Sequence, residues 1–480
     1  MRIAVLGFAT VVCAQPTPDT LWTFTYHGAL DAEDAAQSVQ QTADGSYIVA
    51  GYTEVFNAGF DVLLVKLDGA GDTVWTRTYG GHSSDVARCI QQTTEGGFIV
   101  AGDTRSFGAG DADFYILRLN DDGDTLWTRT YGGLGREEGY SVQQTSDGGF
   151  IMAGYLWSVS GNNQDIYLVK TDGDGDTVWT QTYGGSGEDW ATSVEQTSDG
   201  GFVVACSFYR QDAERNDFCL LKTNEHGDTL WTRRYANSGD WPYSVHQTLD
   251  GGYIMAGSVG SLGAGEGDMF VVRTNASGDT LWTKTFGGDR QDGAYSVQEV
   301  QDGGFIVAGW TWSYGHRDDD IYLVRLNGSG DTLWTRAIGG PYAQVAISLQ
   351  RTTDGGYIIA GFSTTLDPSY GDFYVVKTGA DEMRTEPIDG QVSRNYILYP
   401  SYPNPFNATT TLRFDLPRAG MVTLRIYDVL GREAATLVRG VKAAGHHSVI
   451  WNATAFPSGL YFARLEADGF MQTHKLLALK

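Results

Sequence analysis

The sequence predicts an all-β protein: a seven-bladed β-propeller of four-stranded blades, its ring closed by the N-terminal strand, followed by a small Ig-like β-sandwich. Three observations predict it. A tryptophan phrase, GDTVWTRTYGG at its first full copy, places Trp22, Trp75, Trp127, Trp179, Trp231, Trp282 and Trp334 at successive spacings of 53, 52, 52, 52, 51 and 52 residues. A turn phrase of the type QTSDGGFIMAG interleaves with it and also occurs seven times, as does an Asp running into an apolar stretch (Asp61, Asp113, Asp165, Asp217, Asp268, Asp320, Asp372). After about residue 380 the repeats stop and the composition changes.

Residues 137–184 serve as the specimen repeat. EEGYSVQQT reads as a short strand, and Asp147-Gly148-Gly149 as a turn, since glycine accepts positive φ without a steric penalty. FIMAGYLW is a second, mostly apolar strand, SVSGNNQ a polar loop, DIYLVKT an alternating third strand, DGDGD a turn and TVWTQTY a fourth strand. Four antiparallel strands in about 52 residues form one twisted sheet that cannot bury both faces alone, so it stacks on its neighbours. Blades around an axis satisfy that requirement. The chain opens with a fourth-strand phrase, Asp19 to Tyr26, and the last repeat lacks one after Lys377. Pairing the two closes the ring and removes its exposed edge. A tryptophan at a fixed place in each blade wedges between adjacent sheets, where one ring buries about 150–250 Å².

YLVKTDGDGDTVWT and its copies resemble the tryptophan-docked repeats of quinoprotein-like propellers, which implies the fold and no activity. The TSDGG turn is similar to the Asp-box of sialidases, although FIMAG follows it and no Arg cluster accompanies it. The propeller is assigned residues 15–378, the linker 379–398 and the sandwich 399–480.

The net charge of −25 and pI near 4.5 exclude a nucleic-acid binder, which needs a basic stripe. MRIAVLGFATVVCAQ reads as a secretory signal, residues 1–14, cleaved after Ala14. No apolar run reaches transmembrane length. The remaining cysteines are Cys89, Cys206 and Cys219, an odd number that precludes full pairing. Cys206 and Cys219 fall on the second and third strands of one blade, where a disulfide or two small core residues would each fit.

Six of the 11 prolines lie from Pro387 onward. From Tyr399 nine Lys or Arg face five Asp or Glu, a net of +4, which leaves −29 on the rest of the chain. TTTLRFDL, MVTLRIYDV, HHSVIW, LYFARLE and HKLLALK alternate as sandwich strands. This region resembles the C-terminal sorting domain of type IX secretion cargo. The matching residues are Tyr399-Pro400, Pro403-Asn404-Pro405-Phe406-Asn407, Ile426-Tyr427-Asp428 with Gly431, Trp451, Ser458-Gly459-Leu460-Tyr461, and Lys475 and Lys480. The resemblance implies Sec export, passage through the type IX machinery, and release or attachment at the surface of a Gram-negative-type bacterium.

Residues recurring in every blade read first as scaffold. The Asp-Thr pairs before the tryptophan strands, such as Asp124-Thr125, are expected to cap turns through their side chains. Asp34, Asp85, Glu137, Asp189, Asp240 and Asp292, with Gln344 in the seventh repeat, open the first strands. Two readings compete: an acidic ring at the channel mouth that focuses cations, or carboxylates that accept backbone N–H groups between blades. Asp172, Asp174 and Asp176 of DGDGD alternate like a calcium loop, but sister turns read NEHGD, NASGD and NGSGD, so an acidic turn is the simpler reading and no cofactor is assigned.

The loops between second and third strands differ in every blade and share one face with the loops between blades. That face carries Trp157, Trp190, Trp241, Trp312, Tyr314 and Arg317, the candidate ligand-binding residues, with Trp190 and Trp241 directly following Asp189 and Asp240. Exposed aromatics beside acids and amides suit sugar rings or protein surfaces. Outside the tail the histidines are His27, His82, His226, His246 and His316, and no Ser-His-Asp spacing or HExxH occurs. A surface binding or adhesion module that takes a glycan or a protein ranks first, a structural assembly component second, and a polysaccharide hydrolase or lyase third. Propellers host all three.

Overall fold

The computed structural model describes residues 19–28, 32–55, 59–157, 163–211, 215–236, 241–260, 267–316, 318–364, 371–381, 396–398, 406–407, 409–443 and 445–479. The signal segment 1–14 and most of the linker lie outside these residues. Contacts divide the chain into two compact units, Met1–Asp381 and Glu382–Lys480.

The first unit is the propeller. Its seven four-stranded antiparallel sheets each run in chain order, except the last. There Thr20–Tyr26 pairs with Asp372–Thr378 in the register Tyr26↔Phe373, Phe24↔Val375 and Trp22↔Lys377, so the N-terminal strand completes the seventh blade. Closure is also made at the axis, where Val39 N–H donates to Ser348 Oγ at 3.2 Å. The same bond links five more junctions: Ile90 to Ser38, Val194 to Ser141, Val245 to Ser193, Val297 to Ser244 and Leu349 to Ser296; at the remaining one Cys89 replaces the serine, its Sγ 3.6 Å from the Val142 carbonyl.

Each blade is nearly continuous apolar sequence in its second and third strands, because both faces are covered by neighbouring sheets. Val203, Ala205, Phe218 and Leu220 of one blade pack with Tyr253, Met255, Phe270 and Val272 of the next. The tryptophans dock as the spacing predicts. The Trp127 ring lies against Gly175 of the following blade, a turn glycine at φ +80°, and edge-on to Phe150 at 6.1 Å. The Tyr131 hydroxyl donates to the carbonyl of the same glycine at 2.6 Å. A buried cation on most third strands reaches back to the first turn: Lys170 Nζ lies 2.9 Å from Asp147, Lys222 3.0 Å from Asp199 and Lys377 2.8 Å from Asp354.

Turn capping works differently from the expectation. The first residue of each turn, not the Asp before Thr, is the cap: Asn120 Oδ1 accepts the N–H groups of Asp122 and Asp124 at 3.0 and 2.8 Å. The five-residue loop curls its own amides inward, and only the leading side chain faces them. Cys206 and Cys219 stand directly opposite one another as buried free thiols, so both are core residues.

The second unit pairs a three-stranded with a five-stranded sheet around a core that includes Leu412, Phe414, Val422, Leu424, Ile426, Trp451 and Leu465. Phe406–Asn407 runs parallel to Ala478–Leu479. Tyr461 packs edge-on to Trp451 at 5.1 Å and donates to the Pro457 carbonyl at 2.9 Å. Arg464 covers the Tyr427 ring at 4.6 Å. Gly431 turns a hairpin at φ +76°, a left-handed conformation that favours glycine. Gly459 opens the strand Gly459–Ala467, and Lys475 pairs with Phe462 across the neighbouring strand. Pro403, Asn404 and Pro405 lie outside the described residues. Among the described residues, no helix is long and apolar enough to cross a membrane.

Candidate functional site

Every first strand carries a β-bulge at one position. The pairing register shifts between Ala36 and Ser38, Ala87 and Cys89, Gly139 and Ser141, Ala191 and Ser193, Pro242 and Ser244, Ala294 and Ser296, and Ala346 and Ser348. A bulge leaves one residue unpaired and re-aims its side chain. The bulged residues are Gln37, Arg88, Tyr140, Thr192, Tyr243, Tyr295 and Ile347, all half-buried on the innermost strands. They line the axis. Tyr243 and Tyr295 meet at 4.6 Å between ring centroids, and the Arg88 guanidinium lies 4.7 Å from the Tyr140 ring. Burial pushes the Tyr140, Tyr243 and Tyr295 phenols up, so all three stay neutral donors at physiological pH.

A charged cluster adjoins the tyrosines. Arg88 donates to Asp103 at 2.8 Å and to Glu138 at 3.2 Å, and Arg136 Nε donates to Glu138 at 2.8 Å. The Tyr140 hydroxyl donates to Glu138 at 3.0 Å. Burial acts on Arg88 in one direction, but the Asp103 and Glu138 carboxylates and the Tyr140 ring hold it firmly protonated. Sequence reasoning missed this wall. Its signal lay in the repeats: in AQSV, ARCI, GYSV, ATSV, PYSV, AYSV and AISL, the bulge residue varies while its neighbours hardly do.

Trp190 and Trp241 begin the first strands of two adjacent blades, three residues before… the serines Ser193 and Ser244 that lock those strands to the next blade. Their rings stack at 4.7 Å with planes 28° apart, and Trp241 stays 45% exposed. The other candidates are placed elsewhere on the loop face. Trp157 lines a shallow pocket of about 290 Å³ with Leu134, Leu156 and Tyr167. Trp312 is 41% exposed and its indole N–H donates to Asp319. Tyr314, 43% exposed, leans on Tyr322 at 5.3 Å and donates to the Gly287 carbonyl at 2.7 Å. Arg317 and Asp240 lie outside the described residues.

The structure corrects the acidic ring. Asp34, Asp85, Glu137, Asp189 and Asp292 are buried, not open to a channel mouth. Each accepts a glycine N–H from the crossing between blades: Gly28, Gly81, Gly133, Gly185 and Gly288, at 2.7–3.2 Å. Gln344 Oε1 does the same for Gly340 at 2.8 Å. The crossing segment has left one sheet and not joined the next, so its N–H groups need side-chain acceptors. Burial raises the Asp189 carboxyl to about 6, against the two N–H groups of Tyr209 and Gly185, with Asp165 adding to the rise. Asp172 of DGDGD is likewise a turn cap: its Oδ1 accepts the N–H groups of Asp174 at 3.0 Å and Asp176 at 2.9 Å, the bonds that Asn224 makes in a sister turn.

Residues 401–478 match the family model described as the secretion system C-terminal sorting domain. The tail is a type IX sorting domain. The chain is thus exported by that system as a secreted or cell-surface protein. Among curated proteins it is similar to the regulatory protein FlaEY of Caulobacter vibrioides, 23% identical over 333 residues, which is 62% of this chain and 32% of the relative; the chain therefore spans about a third of that protein's length. Among solved structures it is similar to PorZ, a surface component of the type IX secretion system of Porphyromonas gingivalis (15% identity, 92% of this chain and 59% of that one, TM-score 0.43). It is also similar to the β-propeller domain of the trilobed protease of Pyrococcus furiosus (6%, 75% and 99%, TM-score 0.42) and to the polysaccharide lyase Uly1 (10%, 74% and 92%, TM-score 0.46).

Proposed function

We propose that the chain is a cell-surface binding protein that takes a glycan on the loop face of its propeller, with the Trp190–Trp241 pair as the anchor. The observation that carries this reading is the pair itself: two stacked indoles on adjacent innermost strands, with Trp241 nearly half exposed. A soluble domain gains nothing for its own stability by holding a large ring in water, and exposed aromatic faces mark binding sites. The apolar C–H face of a sugar ring covers an indole, while Tyr, Arg and carboxylate groups serve its hydroxyls. The axial wall of Arg88, Glu138, Tyr140, Tyr243 and Tyr295 supplies that kind of polar group. The scaffold is rigid and the loops vary from blade to blade, which suits recognition.

A glycan-array screen of the purified chain tests the reading. The expected result is binding to a defined set of glycans that is lost in Trp190→Ala/Trp241→Ala. A blank array, or binding untouched by the double substitution, refutes it and leaves a structural role as the better account.

A further inference from the structure

The seam where the ring closes differs chemically from the other blade junctions. At the described junctions that have a first-strand carboxylate, it meets the third-strand Asp of the blade before it, and the residue between them is glycine except at the seam. A Cβ on Gly80 would fall 2.2 Å from Asp61 Oδ1 and 2.8 Å from Asp85 Oδ2; on Gly184, 2.0 Å from Asp165 Oδ1 and 2.7 Å from Asp189 Oδ2. Gly132 and Gly287 repeat the arrangement, and Gly339 lies between Asp320 and the Gln344 amide. A side chain at this position is therefore aimed between two acids. At the seam the position is His27.

His27 Nδ1 lies 2.5 Å from Asp372 Oδ1, and ligand atoms of His27, Asp34 and Asp372 all fall within 4.8 Å of one another. Asp34 and Asp372 are buried; Asp372 Oδ2 has no hydrogen-bond partner, and Asp34 Oδ1 has none beyond the neighbouring Thr53 hydroxyl. The sister acids are better served. Asp85 accepts the hydroxyls of Thr104 and Ser106 besides the Gly81 N–H, and Asp292 accepts those of Thr311 and Ser313 besides the Gly288 N–H. Val55 stands where Ser106 and Ser313 stand, so blade 1 lacks that donor. Asp61 Oδ1 is also without a partner, but its junction has Gly80 and no third donor.

We propose that His27, Asp34 and Asp372 form a binding site for a zinc-class divalent transition metal that staples the ring shut. One imidazole nitrogen and two carboxylates are a common ligand set for such ions, with water as the fourth ligand. The His27 side chain is 29% exposed, which leaves an approach for the ion and for that water. Calcium fits less well, because it takes six to eight oxygens. Bonds of about 2.0–2.1 Å in tetrahedral geometry separate ligand atoms by about 3.3 Å, so His27 and Asp372 need to part by less than 1 Å, and the other separations, at most 4.8 Å, need to close by up to about 1.5 Å. His27 is 345 positions from Asp372, and only the closed ring brings them together. Metal bound there stabilises the closed ring by mass action.

The test is calorimetric titration of zinc into the chelator-stripped full chain and into His27→Gly, the residue that the sister junctions carry. The expected result is one fewer zinc per chain in the variant, and a zinc-dependent rise in melting temperature that the variant lacks. Zinc held by tail histidines cancels in the comparison. His27→Gln keeps a hydrogen-bonding group beside Asp372 without an imidazole and is expected to weaken that zinc at least tenfold; it serves if the glycine variant does not fold. Equal zinc stoichiometry and equal melting shifts in wild type and variants overturn the proposal and leave a simple His–Asp hydrogen bond at the seam.

Discussion

Tryptophan docking at the blade junctions makes a sharp prediction. Gly148 and Gly175 belong to one blade and share almost the same backbone, φ +83° and +80°. A Cβ on Gly148 meets nothing within 4 Å, whereas one on Gly175 meets two atoms of the Trp127 ring at 2.9 Å and Arg129 Cγ at 3.1 Å. Gly148→Ala therefore pays only the left-handed backbone term, about 1–2 kcal/mol. Gly175→Ala adds displacement of a packed indole, an overpacking term of about 1–3 kcal/mol. The total is about 2–5 kcal/mol. Urea unfolding followed by fluorescence reads the difference as a lower midpoint at unchanged slope. In a Trp127→Ala background only the flexible Arg129 side chain is left in the way, and Gly175→Ala falls back close to the cost of Gly148→Ala. That coupling belongs to contacting residues and not to the turn. Equal costs for the two glycines in the wild-type background, or an extra cost that persists without Trp127, refute the docking account.

Other consequences follow from the buried charges and thiols. Arg88→Met leaves Asp103 without its cation and is expected to cost about 3–5 kcal/mol, measured by the same unfolding, with Arg88→Met/Asp103→Asn recovering most of it. Asp189 holds its proton up to about pH 6 in the folded chain, and the unfolded chain loses it near pH 4. The folded state thus binds more protons in that window, and stability falls as pH rises from 4 to 6; Asp189→Asn flattens that slope in urea midpoints taken across the window. Burial pushes the Cys219 thiol up to about 12 and raises the Cys206 thiol well above its ordinary value. Neither is expected to react with a thiol reagent until the blade unfolds, and labelling with and without urea checks it.

The fold was legible because each blade repeats its rules. Seven tryptophans at a near-constant spacing fix the blade count, and an orphan fourth strand at Asp19–Tyr26 matched to a last repeat without one fixes the closure. The site was less legible. First-strand carboxylates such as Asp85 look like a surface ring in one dimension, but the crossing segments between blades draw them inward to satisfy amides such as that of Gly81. Which face a strand residue occupies is normally set by alternation, and the bulges at Arg88, Tyr140 and Tyr243 break it. The axial wall was therefore hidden from pattern reading. So was the seam, because His27 gains meaning only beside Asp34 and Asp372, which the closed ring brings to it.

The central claim is that the Trp190–Trp241 pair binds ligand. The most direct measurement is a calorimetric titration of the best array glycan into three forms of the purified chain: wild type, Trp190→Ala/Trp241→Ala, and Leu249→Ser, an exposed turn residue beyond the far end of the Trp241–Gln247 strand, as a control away from the pair. The account predicts a loss of at least 100-fold in the tryptophan variant, equivalent to about 2.7 kcal/mol, and unchanged affinity in the control. Equal affinity in all three contradicts it.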